Sequence, residues 1–268
     1  MDYLFSIIFG IIQGITEFLP VSSSGHLVLL HKFISLPLKN EIAFDVVLHL
    51  ATLFAVLWFF KKDIISIIKS FLLNFTDKKN SESRIGWMII ISAIPAGFVG
   101  YFFENIIEKY FRSVLFVAIM LVLVGILFIV MEKISKFNKD YKNLKYSQAF
   151  MIGVAQCLAL IPGTSRSGIT IIAGLSLGLK REQAVRFSFL MSLPIIFGAS
   201  VKKIPELFNS GLQSNELIIL FIAFLFSFLS GIITIKYFLR FAQNKKLNIF
   251  AYYRFILAML IIYYFIIN

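Results

Sequence analysis

Long apolar stretches separated by short polar ones dominate the chain, and their lengths predict its elements. Residues 44–60, 85–103, 113–131, 186–200, 216–235 and 250–267 are each apolar over the length of a membrane-crossing helix, which needs about 20 residues for a hydrocarbon core of about 30 Å. Two further stretches, 4–34 and 147–178, are apolar at both ends but broken in the middle by Pro, Gly and a Ser/Thr cluster. Irregular backbone survives at membrane depth only when it is buried in protein or lines a wet cavity. Each broken stretch therefore predicts a re-entrant hairpin of two half-helices. The expected fold is an all-α polytopic membrane protein with six full transmembrane helices plus two re-entrant helical hairpins.

The two broken stretches share a pattern. Without a gap, Gly10 matches Gly153, Gln13 matches Gln156, Ser22 matches Ser165, Ser24 matches Ser167 and Gly25 matches Gly168. Pro20 and Pro162 miss that register by one position. The copies differ where chemistry would sit: Glu17 matches Leu160, Ser23 matches Arg166 and His26 matches Ile169. A shared scaffold with unlike contributions predicts one site built from both copies.

Composition and charge refine the picture. The chain has 268 residues, 59% of them hydrophobic and only 15% charged, with a mean hydropathy of +0.88. A soluble domain carries about 25% charged residues, so the composition predicts an integral membrane protein of one domain, 1–268. The single cysteine, Cys157, excludes an intramolecular disulfide and a cysteine metal cluster. No removable signal peptide is expected at the N-terminus. Placing residues 61–84 in the cytoplasm and counting spans forward puts 132–146, 180–186 and 236–249 on the same side. These four loops hold 18 of the 26 Lys and Arg, the bias of cytoplasmic loops. Both termini are then outside, the first hairpin enters from outside and the second from the cytoplasm. That arrangement is an inverted repeat, roughly 1–131 and 147–268, joined by the basic loop 132–146. The net charge of +12 is thereby assigned to topology and to contact with anionic membrane lipid, not to nucleic acid.

The polar residues inside the apolar pattern are the candidate site. A carboxylate in a membrane segment is costly and faces a cavity or a partner. Glu17 is thus either a metal ligand or general base, or a structural partner of Arg166. Gln13 shares its helix face at i−4, and Gly10 and Gly14 permit close helix packing. Ser22, Ser23 and Ser24 follow Pro20 as caps of the next half-helix, whose free N–H groups also suit a phosphate. His26 lies one turn on. Thr164, Ser165, Arg166 and Ser167 repeat the design with a cation, whose forked donors suit a phosphate or Glu17. Asp45 and His49, four apart, are expected to share an ordinary helix-end hydrogen bond, the alternative being a pair that supports the site or an accessory metal site. His31 is expected at the interface.

The strings Gln13-Gly-Ile-Thr-Glu17-Phe-Leu-Pro-Val-Ser-Ser-Ser-Gly-His26 and Pro162-Gly-Thr-Ser-Arg-Ser-Gly168 resemble those of the undecaprenyl-diphosphatase family of the bacitracin-resistance type. The likeness covers essentially the whole chain. It implies hydrolysis of undecaprenyl diphosphate, recycling of the lipid carrier for cell-wall synthesis, bacitracin resistance and dependence on a divalent metal, Mg²⁺ or Ca²⁺. It implies a bacterial plasma membrane location, with the active site open to the outer face. A homodimer is compatible with it. Residue by residue, Glu17 matches the family's essential glutamate and metal ligand, Ser23 its proposed nucleophile, His26 the neighbouring histidine and Arg166 the phosphate-binding arginine. Gln13, Ser22, Ser24, Thr164, Ser165 and Ser167 are the expected substrate-binding residues. Gln13 stands where the family often has a second glutamate, which removes one negative charge. Two other classes compete. A secondary transporter or flippase of a phospholipid carrier would use the same inverted-repeat architecture. The type-2 phosphatidic-acid-phosphatase family would need a histidine at position 172, which is Ile.

Overall fold

Backbone polar groups in a bilayer must be satisfied within the segment, and in this computed structural model the described residues do so as helices. Those residues are 1–34, 36–37, 41–73, 81–111, 113–209 and 213–267. The helices are α1 (Asp2–Thr16), α2 (Ser23–Phe33), α3 (Glu41–Phe59), α4 (Lys61–Leu73), α5 (Ser81–Phe111), α6 (Val114–Ile134), α7 (Tyr146–Cys157), α8 (Arg166–Ser176), α9 (Arg181–Asn209), α10 (Ser214–Asn244) and α11 (Asn248–Ile267). Five of them, α5, α6, α9, α10 and α11, contain stretches long and apolar enough to cross a membrane. A sixth is gained if α3 and α4 count as one bent span.

The α3–α4 pair departs from the expectation. The chain turns by 81° after Phe59, and residues 61–73 and 81–84 of the basic stretch 61–84 are helix rather than loop. Ile64, Ile67, Ile68, Phe71 and Leu72 recur at helical spacing, giving α4 an apolar face. An ion pair of 2.5 Å between Asp63 and Arg186 ties its start to α9. The other spans outrun their apolar cores. Thus α9 begins at Arg181 rather than 186, because its guanidinium makes two hydrogen bonds to Glu132 at 2.8 and 2.7 Å.

Contacts between the basic segments gather them at one end of the molecule. Asp63–Arg186, Lys142–Glu82 and Arg181–Glu132 join three of them. The Leu247 N–H donates to Glu132 Oε1 at 2.9 Å and brings in the fourth. The ends of the first broken stretch lie elsewhere. Tyr3 hydrogen-bonds Asn215 at the start of α10, and Phe33 packs on Tyr264 near the end of α11. The second broken stretch begins and ends among the basic segments. Its α7 follows Leu144, whose carbonyl accepts from Arg84, and Gly178 O accepts from the N–H groups of Asn138 and Lys139.

Helix pairing crosses between the halves. α1 packs on α10 and α7 on α5; α3 packs on α9 and α10; α6 packs on α11. Close approach depends on glycine. A Cβ at Gly10 would meet the Ala223 carbonyl, one at Gly14 the Ser227 carbonyl, and one at Gly153 the Ser92 carbonyl. The largest buried cluster includes Phe18, Phe60, Phe128, Phe187, Phe189 and Phe238. Tyr252, Ile256, Met259, Leu260 and Tyr263 leave one side of α11 exposed and apolar, as lipid contact requires.

Candidate active site

Both broken stretches stop and restart their helices in the same way. After α1 the chain turns through Glu17–Val21, and Ser22 adopts a left-handed φ of 74°. Its Oγ accepts from the Gly25 N–H at 3.2 Å and lies 3.3 Å from Ser24 Oγ. After α7 and a short 3-10 turn, Ser165 adopts a φ of 72°. Its Oγ accepts from the Gly168 N–H at 3.1 Å and lies 3.2 Å from Ser167 Oγ. A non-glycine residue at such a φ costs on the order of 1–3 kcal/mol and persists only where its surroundings fix it. Here the serine cap does so, and its repetition explains why these serines match between the copies. Gly163, with a φ of 92°, has no room for a Cβ against the Val117 backbone.

The breaks meet at Glu17, whose side chain is buried. Its Oε1 accepts from Arg166 Nη2 at 2.6 Å. Its Oε2 accepts from Ser23 Oγ at 2.7 Å and from Gln13 Nε2 at 3.1 Å, and lies 3.1 Å from His49 Nδ1. Arg166 Nη1 donates to Ser188 O at 3.3 Å, and Ser167 Oγ donates to Leu19 O at 3.2 Å. The structure thus joins Gln13, Glu17, Ser23 and Arg166, expected from the sequence, into one cluster. Ser22, Ser24, Ser165 and Ser167 frame it as caps. Thr164 is buried, and its Oγ1 has no hydrogen-bond partner among the described residues.

His26 is placed differently. Its Nδ1 lies 2.7 Å from Ser22 O and its Nε2 lies 2.7 Å from Tyr253 Oη, with the two rings stacked 5.8 Å apart. A carbonyl only accepts, so Nδ1 carries a proton, and neutral His26 accepts from Tyr253 at Nε2. Both ring nitrogens are therefore engaged away from Ser23.

Two residues, Tyr253 and Arg254, were missed in the sequence, and His49 was assigned another partner. His49 does not pair with Asp45; it reaches Gln13 Nε2 at 2.9 Å and Glu17. Asp45 instead hydrogen-bonds His31 Nε2 at 2.9 Å, and His31 packs against Phe9. Arg254 is fully buried. It donates to Pro20 O at 3.1 Å in the first break, and to Gly163 O at 2.8 Å and Thr164 O at 3.1 Å in the second. It also reaches Leu121 O and Met120 O on α6. An arginine inside an apolar span is itself a functional signal. Tyr253, beside it, carried none.

For a divalent cation the oxygen donors would be Glu17 and Gln13, whose buried Oε1 has no hydrogen-bond partner among the described residues. Among the described residues there is no cluster of three or more His, Cys, Asp or Glu suited to a metal. A hard cation held by these two oxygens would have to take its remaining ligands from water and a bound phosphate.

Comparison with known proteins follows this geometry. A family profile described as bacitracin resistance protein BacA matches residues 6–260. An undecaprenyl-diphosphatase of Rubrobacter xylanophilus is 40% identical over 265 residues, 97% of each chain. One of Halothermothrix orenii is 42% identical over 260 residues, again 97% of each chain. One of Methanobrevibacter smithii is 40% identical over 272 aligned positions. The chain belongs to the bacitracin resistance protein BacA family.

Proposed function

We propose that this protein hydrolyses undecaprenyl diphosphate to undecaprenyl phosphate and inorganic phosphate. This reaction recycles the lipid carrier for cell-wall synthesis and underlies bacitracin resistance. The observation that carries the reading is the Ser23 hydroxyl held 2.7 Å from a buried carboxylate that Arg166 also grips. A nucleophile and a base in hydrogen-bond contact are the starting arrangement for attack at phosphorus.

In the proposed reaction the terminal phosphate draws Arg166 from Glu17. The arginine fork then neutralises the phosphate, and Glu17 is freed to accept a proton. The N–H groups of Ser23 and Ser24 in α2 and of Arg166 and Ser167 in α8, ahead of those that the Ser22 and Ser165 caps take, add to the anion site. Ser23 Oγ attacks the terminal phosphorus, its proton passes to Glu17 Oε2, and the bridging P–O bond breaks. Undecaprenyl phosphate leaves with the bridging oxygen. Glu17 gives that proton to the leaving undecaprenyl phosphate and, a carboxylate again, takes a proton from water as the water oxygen attacks the phosphoserine; the P–O bond to Ser23 breaks, Glu17 returns the proton to Ser23 Oγ, and inorganic phosphate departs. His49 and Gln13 hold the carboxylate in place. His26, fixed between Ser22 and Tyr253, orients the start of α2. A bound Mg²⁺ or Ca²⁺, held by Glu17 and Gln13, would neutralise diphosphate charge.

The architecture we infer is six spans plus two re-entrant hairpins in an inverted repeat. Its support is the crosswise helix pairing, the matched serine caps, and the first broken stretch ending away from the basic segments while the second ends among them. The basic end is assigned to the cytoplasm and the site to the outer face of the plasma membrane.

Purified protein in detergent tests the reading. Phosphate release from undecaprenyl diphosphate without any gradient, suppressed by chelator, is expected. Carrier movement in sealed vesicles with no phosphate release would replace it with the flippase reading.

A further inference from the structure

We propose that a cavity between α3, α4, α5 and α9 binds the isoprene units that follow the first one after the diphosphate of a polyprenyl substrate. This rests on the function proposed above. The cavity measures about 370 Å³ and is lined only by apolar residues, among them Leu53, Leu57, Gly86, Leu190 and Pro194. That volume falls within the roughly 300–1,000 Å³ of small-molecule sites. Its position connects it to the polar cluster. On α3, Leu53 and Leu57 follow His49 by one and two helical turns on the same face. On α9, Leu190, Leu193, Pro194 and Phe197 form one stripe of the cavity wall. The far side opens on the lipid-facing surface, where Ile68, Ile90 and Phe197 are 52%, 41% and 60% exposed.

An amphiphile with its phosphates at Arg166 would therefore find, one turn along α3 from His49, an apolar cavity that opens sideways on the lipid-facing surface. The Asp63–Arg186 ion pair fixes α4 as its wall. Gly86 gives the channel its width on α5, since a Cβ there would press on the Phe71 ring at 2.9 Å.

The test fills the channel and compares two substrates. Ile90→Trp narrows the mouth at an exposed position, and Gly86→Leu narrows the interior; the first keeps the test valid if the second misfolds. Dimethylallyl diphosphate, one isoprene unit long, ends near the polar cluster. The expected result is at least a fivefold rise in KM for undecaprenyl diphosphate, with kcat/KM for dimethylallyl diphosphate within twofold of wild type. An unchanged undecaprenyl KM, or equal losses on both substrates, overturns the proposal. A wild-type protein that releases phosphate from neither substrate overturns the underlying function instead. Photolabelling checks occupancy independently of turnover. A polyprenyl diphosphate bearing a diazirine in the isoprene units that follow the first one should label α4 or α5, and excess undecaprenyl diphosphate should suppress it. Labelling there by a diazirine phosphatidylcholine that undecaprenyl diphosphate does not displace would mean that bilayer lipid holds the channel.

Discussion

Replacing Arg166 by lysine keeps the charge and removes the fork. Arg166 uses separate nitrogens for Glu17 Oε1 at 2.6 Å and Ser188 O at 3.3 Å, so one planar group spans the first break and α9. A lysine ammonium can follow Glu17 or the phosphate but cannot reproduce two fixed parallel donors. Loss of one hydrogen bond to a charged group costs about 1.5–3 kcal/mol. At about 1.4 kcal/mol per decade, kcat/KM should fall by roughly 10- to 150-fold. The pair with Glu17 survives as an ion pair, so the protein should stay folded; size-exclusion elution and Tm in detergent check this. The assay is phosphate release over a range of undecaprenyl diphosphate concentrations. Wild-type kcat/KM in a folded Arg166→Lys protein would refute the bidentate role.

Arg254→Met should lower Tm sharply, because it removes the bridge between the breaks and strips carbonyls of a donor, each worth about 1–3 kcal/mol when left buried and unpaired; a Tm within two degrees of wild type would contradict it. In a Cys157→Ser background, a cysteine replacing Ser113 should react with an impermeant maleimide in intact cells and one replacing Lys136 should not; equal labelling would reject the assigned orientation. Gln13→Glu adds a second carboxylate beside Glu17 and should lower the Mg²⁺ concentration for half-maximal turnover; an unchanged or higher requirement would remove Gln13 from the cation site.

Much of the site was legible because ionisable residues in apolar sequence need partners. Glu17 and Arg166 stood out for that reason, and the repeated serines marked where the helices restart. What escaped the sequence was contact across long separations. His49 was assigned to Asp45, four residues away, although its partner Glu17 lies on a different element. Arg254 was visible as a cation in the last span, yet no motif shows that it donates to carbonyls of both breaks. The bend into α4 was hidden by Lys61, Lys62 and Asp63, which look like the start of a loop. The apolar spacing from Ile64 to Leu72 was the available signal for that helix.

The central claim is that Ser23 and Glu17 together form the hydrolytic centre. The most direct measurement is rapid-quench turnover of labelled undecaprenyl diphosphate by wild type, Ser23→Ala and Glu17→Gln. The account predicts a transient phosphoserine at Ser23 in wild type. It predicts turnover near background in Ser23→Ala, and neither phosphoserine nor turnover in Glu17→Gln. A Ser23→Ala protein that turns over at close to the wild-type rate would contradict it.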